Sequence, residues 1–174
     1  GEAPPAFDLL YWNGDGSNLP GRMTVEYLRG LCQSNDFCED GYAMLGETLH
    51  VRDVKVPLCS VACETDHIAA WTSCFRGVAQ MGSTNKTFIL SESGHIAGIV
   101  NPPSKKKYGH YTSEAAIDVP EDWREASEYH EGSWWPRWEN WLSSRSGKLI
   151  PAREITSESL APAPGTYVVM NPDV

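Results

Sequence analysis

An aspartate and a histidine each follow an apolar segment of the sequence, and together they could form the base of an enzyme. Asp66 lies in ETDHIAAW after the apolar segment VPLCSVA at 56–62. His95 lies in SESGHIAGIVNPP after KTFIL at 86–90, and its neighbour Gly94 is expected to let the backbone turn sharply. An aspartate that binds a histidine ring fixes its tautomer and stabilises its charged form, so the ring can act as a general base near neutral pH. In the simpler interpretation, His95 is a loop residue that caps nearby backbone groups.

The elements between these two residues indicate how they could meet. The two apolar segments are predicted to be buried strands, and WTSCFRGVAQM at 71–81 is predicted to be a helix between them. Its apolar side carries Phe75, Val78 and Ala79. Strand, helix and strand form a parallel crossover unit, in which functional groups gather at the carboxyl ends of the strands. Because adjacent parallel strands lie about 4.8 Å apart, their loops can bring Asp66 and His95 into hydrogen-bond contact.

A histidine base needs a group to deprotonate. In the α/β-hydrolase arrangement the order along the chain is nucleophile, acid and histidine, with the nucleophile on a G-x-[SC]-x-G turn. No serine or cysteine here has glycine at both second positions; Cys32 comes closest, but Ser34 replaces the second glycine. The sequence therefore predicts an α/β fold and looks like the C-terminal portion of an enzyme, with its last parallel strands and helices, whose nucleophile is expected upstream.

Composition and charge limit the classes of function. A chain of 174 residues can form one domain with a sizeable core. The net charge of −9, from 14 basic and 23 acidic residues, argues against nucleic acid as a partner, and the basic cluster Lys105, Lys106 and Lys107 is interpreted as a solvated loop. No apolar run approaches the length of about 18 residues that a membrane span needs. We expect no signal peptide, because the first residues, GEAPPAF, lack a basic region and an apolar stretch.

The cysteines favour a reducing cytoplasm over a disulfide framework, because their number is odd. They are Cys32, Cys38, Cys59, Cys63 and Cys74. Cys59, Cys63 and His67 are spaced four apart, as zinc ligands on a helix could be. On a strand, however, residues four apart are separated by about 13 Å. One zinc ion with bonds of about 2.3 Å cannot join them, so we expect no metal.

The first 50 residues are predicted to be irregular, with one helix and short strands. GRMTVEYLRGLCQ at 21–33 fits a helix, and turns at Gly41 and Gly46 separate the short strands. One face of the helix carries Met23, Tyr27, Leu28 and Leu31.

Aromatic residues recur at helical spacing in EGSWWPRWENWLSS at 131–144. They are Trp134, Trp138 and Trp141, followed by Leu142. We interpret this stripe as core, on a helix that packs against the sheet, and a polymer-binding or sugar-stacking surface is the alternative. Beyond about residue 145 the sequence resembles a tail with one short extended piece at 167–170.

Four segments carry a resemblance to a known family. FDLLYWNGDGSNLPG, ETDHIAAW, SGHIAGIVNPP and GSWWPRWENWL resemble, in order and spacing, the poly(3-hydroxyalkanoate) synthases, most like those of class I. The resemblance covers nearly the whole chain and concerns the C-terminal part of the catalytic domain. It implies an α/β-hydrolase fold in which 1–50 form part of the cap, 51–150 the C-terminal part of the core, and 151–174 a tail.

The resemblance implies an acyltransferase that polymerises 3-hydroxyacyl-CoA into polyhydroxyalkanoate with release of CoA. By similarity, Asp66 and His95 match the catalytic aspartate and histidine of the family. The cysteine nucleophile has no counterpart here, so the chain alone is expected to be inactive. Whether Asp66 acts on the substrate hydroxyl directly or only through His95 stays open. Two other interpretations also stay open: a polyester depolymerase or other hydrolase of the same fold, and a non-catalytic fragment that binds granules through its tryptophans.

The resemblance also implies partners and a location. No cofactor is expected, because the CoA thioester is the substrate. The expected partners are 3-hydroxyacyl-CoA, the growing polyester and the granule surface, with no nucleic acid and no membrane span. The resemblance allows a homodimer of the complete protein. It places that protein in the cytoplasm, at polyester granules.

Overall fold

The computed structural model describes residues 16–154 together with residues 162, 165, 166 and 170. The first part of the expected cap, up to residue 15, lies outside these residues, and so does the extended piece at 167–170 except for residue 170. The described helices include none with the length and apolar character that a bilayer-spanning helix requires.

The described part of the segment before residue 50 contains one helix and one hairpin. Helix α1 (Gly21–Tyr27) continues as a π-helix at Leu28–Gln33, so the predicted helix is confirmed in extent but its second half is wound more widely. Strands β1 (Tyr42–Met44) and β2 (Glu47–Leu49) pair antiparallel around the turn at Gly46, as expected. The apolar helix face is not part of the core, since Met23, Tyr27 and Leu28 are all about half exposed.

The predicted crossover unit is confirmed. Strand β3 (Leu58–Cys63) leads through helix α2 (Trp71–Gln80) to strand β4 (Lys86–Ser91). The two strands pair parallel, with Leu58 opposite Lys86 and Cys63 opposite Ser91. Their carboxyl ends therefore lie side by side, at the same end of the sheet.

Two further strands, which the sequence patterns did not reveal, make the sheet mixed. Strand β5 (His110–Thr112) pairs antiparallel with β4, and β6 (Glu128–His130) pairs antiparallel with β5. Helix α3 (Pro120–Glu125) lies between them in sequence, and α4 (Trp135–Ser143) follows. The strand order is β3-β4-β5-β6. Over the described residues the fold is thus α/β with one parallel pair, compatible with part of an α/β-hydrolase.

The core packs α2 and α3 against one face of this sheet. Its buried members are Ala62, Phe75, Val78, Phe88, Leu90 and Trp123. The Phe88 ring stands edge-on to Phe75 and Trp123, with centroids 5.0 and 5.2 Å apart, an arrangement favoured for aromatic pairs. The apolar side predicted for α2 is therefore confirmed.

The two parallel strands, β3 and β4, differ in burial. From Phe88 onward β4 is buried on both faces, as expected. In β3 only Ala62 and Cys63 are buried, and the four residues before them are half-buried. The expectation of burial on both faces is therefore wrong for most of β3, because this strand lies at the edge of the described sheet and has a neighbour on one side only.

The tryptophan-rich helix is only partly core. Trp134 is 9% exposed, whereas Trp138 and Leu142 are 43% and 41% exposed, so the core interpretation is wrong for these two residues. Trp141 is half-buried. The reason is that the N-terminal end of α4 packs against a loop beyond β4, through indole hydrogen bonds described below.

Candidate active site

Asp66 and His95 meet at the carboxyl ends of the parallel strands. Oδ2 of Asp66 lies 2.8 Å from Nδ1 of His95, which confirms the expected contact. The Asp66 side chain is 7% exposed and the His95 side chain 47% exposed. The Asp66 carboxylate is thus enclosed, whereas the His95 ring is about half exposed to solvent. Their role in catalysis stays a prediction.

A tight turn holds the Asp66 carboxylate. Its Oδ1 accepts hydrogen bonds from the amides of Ile68 at 2.8 Å and Ala69 at 2.9 Å, while Oδ2 faces His95. The bonds from Ala69 and then His95 lower the pKa of Asp66 to about 2, against the smaller opposing effect of burial. Asp66 is therefore a carboxylate at neutral pH.

The charge on Asp66 decides the tautomer of His95. A carboxylate only accepts hydrogen bonds, so Nδ1 of His95 must donate to it. In the neutral ring, Nε2 then carries the lone pair and can accept a proton. Within the described part of the chain, Asp66 is the only hydrogen-bond partner of this ring. The arrangement therefore presents a proton acceptor on a half-exposed ring.

Backbone hydrogen bonds keep the two loops in register beyond the strands. The amide of Glu64 donates to the carbonyl of Ser91 at 2.8 Å, and that of Thr65 donates to Ser93 at 3.0 Å. Ser93 has a φ of 75°, in the left-handed region. The backbone of Gly94 is not in that region, so the sharp turn expected at the glycine occurs one residue earlier.

The loop after His95 is a compact turn whose path depends on Gly98. The Gly98 amide donates to the carbonyl of Gly94 at 3.0 Å, and Val100 donates to Ile96 at 2.8 Å. A Cβ at Gly98 would lie 2.6 Å from Sγ of Cys63, so only glycine fits against the end of β3. Sequence reasoning missed this residue.

Two neighbouring tryptophans bind the same turn. The Gly98 carbonyl accepts hydrogen bonds from Nε1 of Trp134 and Oγ of Ser91, both at 2.9 Å. Nε1 of Trp135 donates to the Ile99 carbonyl at 2.9 Å. The tryptophan motif therefore holds the loop that carries His95, a role that its helical spacing did not indicate.

We expect Trp134→Phe to loosen this loop. The change leaves an aromatic ring but removes one donor to a buried carbonyl, which should lower the free energy of unfolding by about 1–2 kcal/mol. Urea unfolding measures this change, and hydrogen exchange of the Gly98 and Val100 amides should become faster. The control is Trp138→Phe, at an exposed position. Equal stability and equal exchange in the two variants would contradict the role given to Trp134.

Comparisons with known proteins agree with the resemblance, although no family model matches the chain. Over 98% of its length the chain is 45% identical to a poly(3-hydroxyalkanoate) polymerase of Methylorubrum extorquens. Over 97% it is 38% and 37% identical to the poly(3-hydroxyalkanoate) polymerase subunits PhaC of Rhizobium meliloti and Cupriavidus necator. The chain is a homologue of one segment of the poly(3-hydroxyalkanoate) polymerases. It spans 29%, 28% and 29% of the lengths of these three relatives.

The five cysteines of the chain are free thiols. Cys63 is 1% exposed, and burial, followed by the charge of Asp66, raises the pKa of its thiol to about 11. The same two causes raise the pKa of Cys74. Cys59 and Cys63 both lie on strand β3, as predicted. This placement on a strand is the reason why we expect no zinc site. The described residues contain no group of three metal-binding side chains, and the absence of metal stays a prediction.

Acid should remove the contribution of Asp66 to the stability of this chain. Folding lowers the pKa of Asp66 from 3.8 to about 2, so its contribution is complete above about pH 4 and is lost as the pH falls through 2. We expect the urea midpoint of the unaltered chain to exceed that of Asp66→Asn at about pH 5, and the gap to shrink below about pH 4. Urea titrations of both chains across this range provide the measurement. A gap that is constant down to about pH 2 would contradict the carboxylate's role.

Proposed function

We propose that the complete protein containing this chain is an acyltransferase that polymerises 3-hydroxyacyl groups from CoA thioesters into polyester and releases CoA. The observation that supports it is the contact between Asp66 and His95, at 2.8 Å, in a segment homologous to poly(3-hydroxyalkanoate) polymerases. The proposed fold is that of an α/β-hydrolase. In it, 1–50 are part of the cap, 51–150 the C-terminal part of the core and 151–174 a tail.

The first step forms an acyl-enzyme. Nε2 of His95 takes the proton of a cysteine thiol, and the thiolate attacks the thioester carbonyl of the hydroxyacyl-CoA. The carbon–sulfur bond to CoA breaks, and the departing CoA thiolate takes the proton from His95. Asp66 keeps the ring oriented and stabilises its transient positive charge.

The second step extends the polyester. The hydroxyl of another hydroxyacyl unit attacks the enzyme thioester and gives its proton to Nε2 of His95. An ester bond forms, the enzyme thiolate leaves, and that thiolate takes the proton back from the ring. In this proposal Asp66 acts only through His95, because its two oxygens already accept three hydrogen bonds and its side chain is enclosed.

The proposed nucleophile lies outside this chain. Cys63 is buried with a pKa of about 11, so it is not a thiolate at neutral pH and is a poor nucleophile. None of the five cysteines lies in a G-x-C-x-G turn. The chain alone is therefore proposed to be inactive.

The proposal includes the partners and location that the family implies. The partners are 3-hydroxyacyl-CoA, the growing polyester and the granule surface, and the reaction needs no cofactor and no metal. The complete protein would be cytoplasmic, at polyester granules, with a homodimer as its candidate assembly.

The test is CoA release from 3-hydroxybutyryl-CoA. We expect the complete protein to release one CoA for each hydroxybutyryl unit that enters chloroform-soluble polyester, and the 174-residue chain to release no CoA and form no polyester. Hydrolysis of added polyester without CoA-dependent synthesis would support a depolymerase instead. CoA release by the isolated chain at the rate of the complete protein would show that one of its own cysteines is the nucleophile, and would overturn the proposal for this chain.

A further inference from the structure

The loop that carries the lysine cluster has a specific, strained conformation. It begins with a 3₁₀ turn at Pro103–Lys105, and then Lys106 and Tyr108 both have positive φ, at 47° and 41°. Residues other than glycine enter this region at a cost in free energy, and they persist there only when their surroundings determine it. A loop that is merely solvated does not explain two such residues within three positions.

A buried asparagine determines this conformation. Asn101 is 2% exposed, and its Nδ2 donates to the carbonyl of Lys107 at 3.0 Å and to that of Tyr108 at 2.9 Å. Both amide hydrogens therefore bind the backbone beneath the lysines. The loop is held in place from below, while all three lysines remain exposed above it.

The lysine loop lies at the same end of the sheet as His95, beyond the carboxyl end of β4. Glu92 donates its amide to the Gly109 carbonyl at 3.0 Å, and its Oε2 accepts the Gly109 amide at 2.5 Å. Lys107 is two residues from Gly109, and His95 is three residues from Glu92. At no more than about 3.5 Å per residue, Lys107 and His95 therefore lie within roughly 22 Å of each other.

An acyl-CoA molecule can span a separation within this limit. In an acyl-CoA, a pantetheine arm of thirteen bonds joins the thioester sulfur to the nearest phosphorus, roughly as long as four extended residues, or about 15 Å. Lysine ammonium groups are point charges that bind phosphate. In the described part of the chain, none of the three lysines forms an ion pair with a carboxylate. Their charge is thus available, in a chain whose net charge is −9.

We propose that Lys105, Lys106 and Lys107 bind the phosphate groups of the CoA portion of the substrate while its thioester lies at His95. This inference rests on the proposed function and adds a site to it. The loop that Asn101 holds in place presents the three lysine ammonium groups on one short segment. The flexible pantetheine arm of the substrate would span the distance from these groups to the His95 ring.

Binding of adenosine 3′,5′-bisphosphate, the nucleotide end of CoA without its reactive arm, tests the site directly. In the complete protein, changing all three lysines to alanine should weaken this binding at least about tenfold, as measured by calorimetry. The matched control changes Lys55 and Lys148, two other exposed lysines, to alanine and should not alter it. Unchanged bisphosphate binding in the triple variant would overturn the proposal, and so would equally strong competition by inorganic phosphate.

A truncated substrate separates this role from a structural one. The triple variant should raise KM for 3-hydroxybutyryl-CoA about tenfold, yet leave kcat/KM for 3-hydroxybutyryl-pantetheine, which has no phosphate, unchanged. An equal loss on both substrates would show a structural effect and contradict the proposal. If the complete protein makes no polyester but its bisphosphate binding still depends on the lysines, the proposed reaction fails and the phosphate site stands.

Discussion

Replacing His95 by alanine in the complete protein should abolish polyester formation, with turnover at least about 10⁴-fold lower. The ring supplies the Nε2 proton acceptor in both proposed steps, and alanine has no group that can replace it. Loss on this scale is expected of a residue that acts on the reacting atoms. CoA release from 3-hydroxybutyryl-CoA under saturating substrate gives the measurement.

The control for this change is His67→Ala. His67 is an exposed histidine next to Asp66 in sequence, and in the described residues its side chain forms no hydrogen bond. The His67→Ala variant should retain near-normal turnover. The urea midpoints of both variants should match that of the unaltered protein. Near-normal turnover by His95→Ala in a folded protein would remove His95 from the mechanism.

Changing Asp66 to asparagine should lower turnover by about 10³–10⁴-fold but leave a small measurable activity. The amide oxygen of the new side chain can still accept the Ile68 and Ala69 amides, which directs its NH₂ group, a donor, toward His95. Nδ1 must then accept, so Nε2 carries the hydrogen and cannot take a proton. The ring keeps its position but has the wrong tautomer.

The kinetic constants separate this explanation from simple loss of structure. A tautomer defect lowers kcat with little change in KM, because substrate binding does not depend on the ring proton. The control, Asp118→Asn, changes an exposed carboxylate and should leave both constants unaltered. If Asp66→Asn instead raised KM and left kcat unchanged, Asp66 would have a role in binding rather than in orienting the base.

Much of the site could be predicted from local sequence. The crossover of β3, α2 and β4 follows from apolar runs and a helical stripe, and the contact of Asp66 with His95 follows from parallel strands having their carboxyl ends together. These inferences need only patterns within a few residues and the fixed spacing of strands. The boundaries of the strands agree to within two residues for the same reason.

Other features depend on contacts between distant residues, which spacing alone does not reveal. Trp134, at the N-terminal end of α4, binds the carbonyl of Gly98, which is 36 residues away in sequence. This contact fixes how the helix packs and leaves Trp138 exposed. The need for glycine at position 98 appears only when Cys63 lies beside it. The antiparallel strands β5 and β6 have three residues each, too few for an alternating pattern to be recognised.

By itself, the sequence determined the residue types of the base, the two strands and helix that bring them together, and the family resemblance, because these depend on local periodicity and motif order. Only the tertiary structure decided which atoms of Asp66 and His95 meet, and therefore which ring nitrogen is free. It also decided that Asn101 binds the backbone of the lysine loop, at the same end of the sheet as these two residues. Hydrogen-bond direction and burial are properties of atoms brought together from distant positions, and they exist only once the chain has folded.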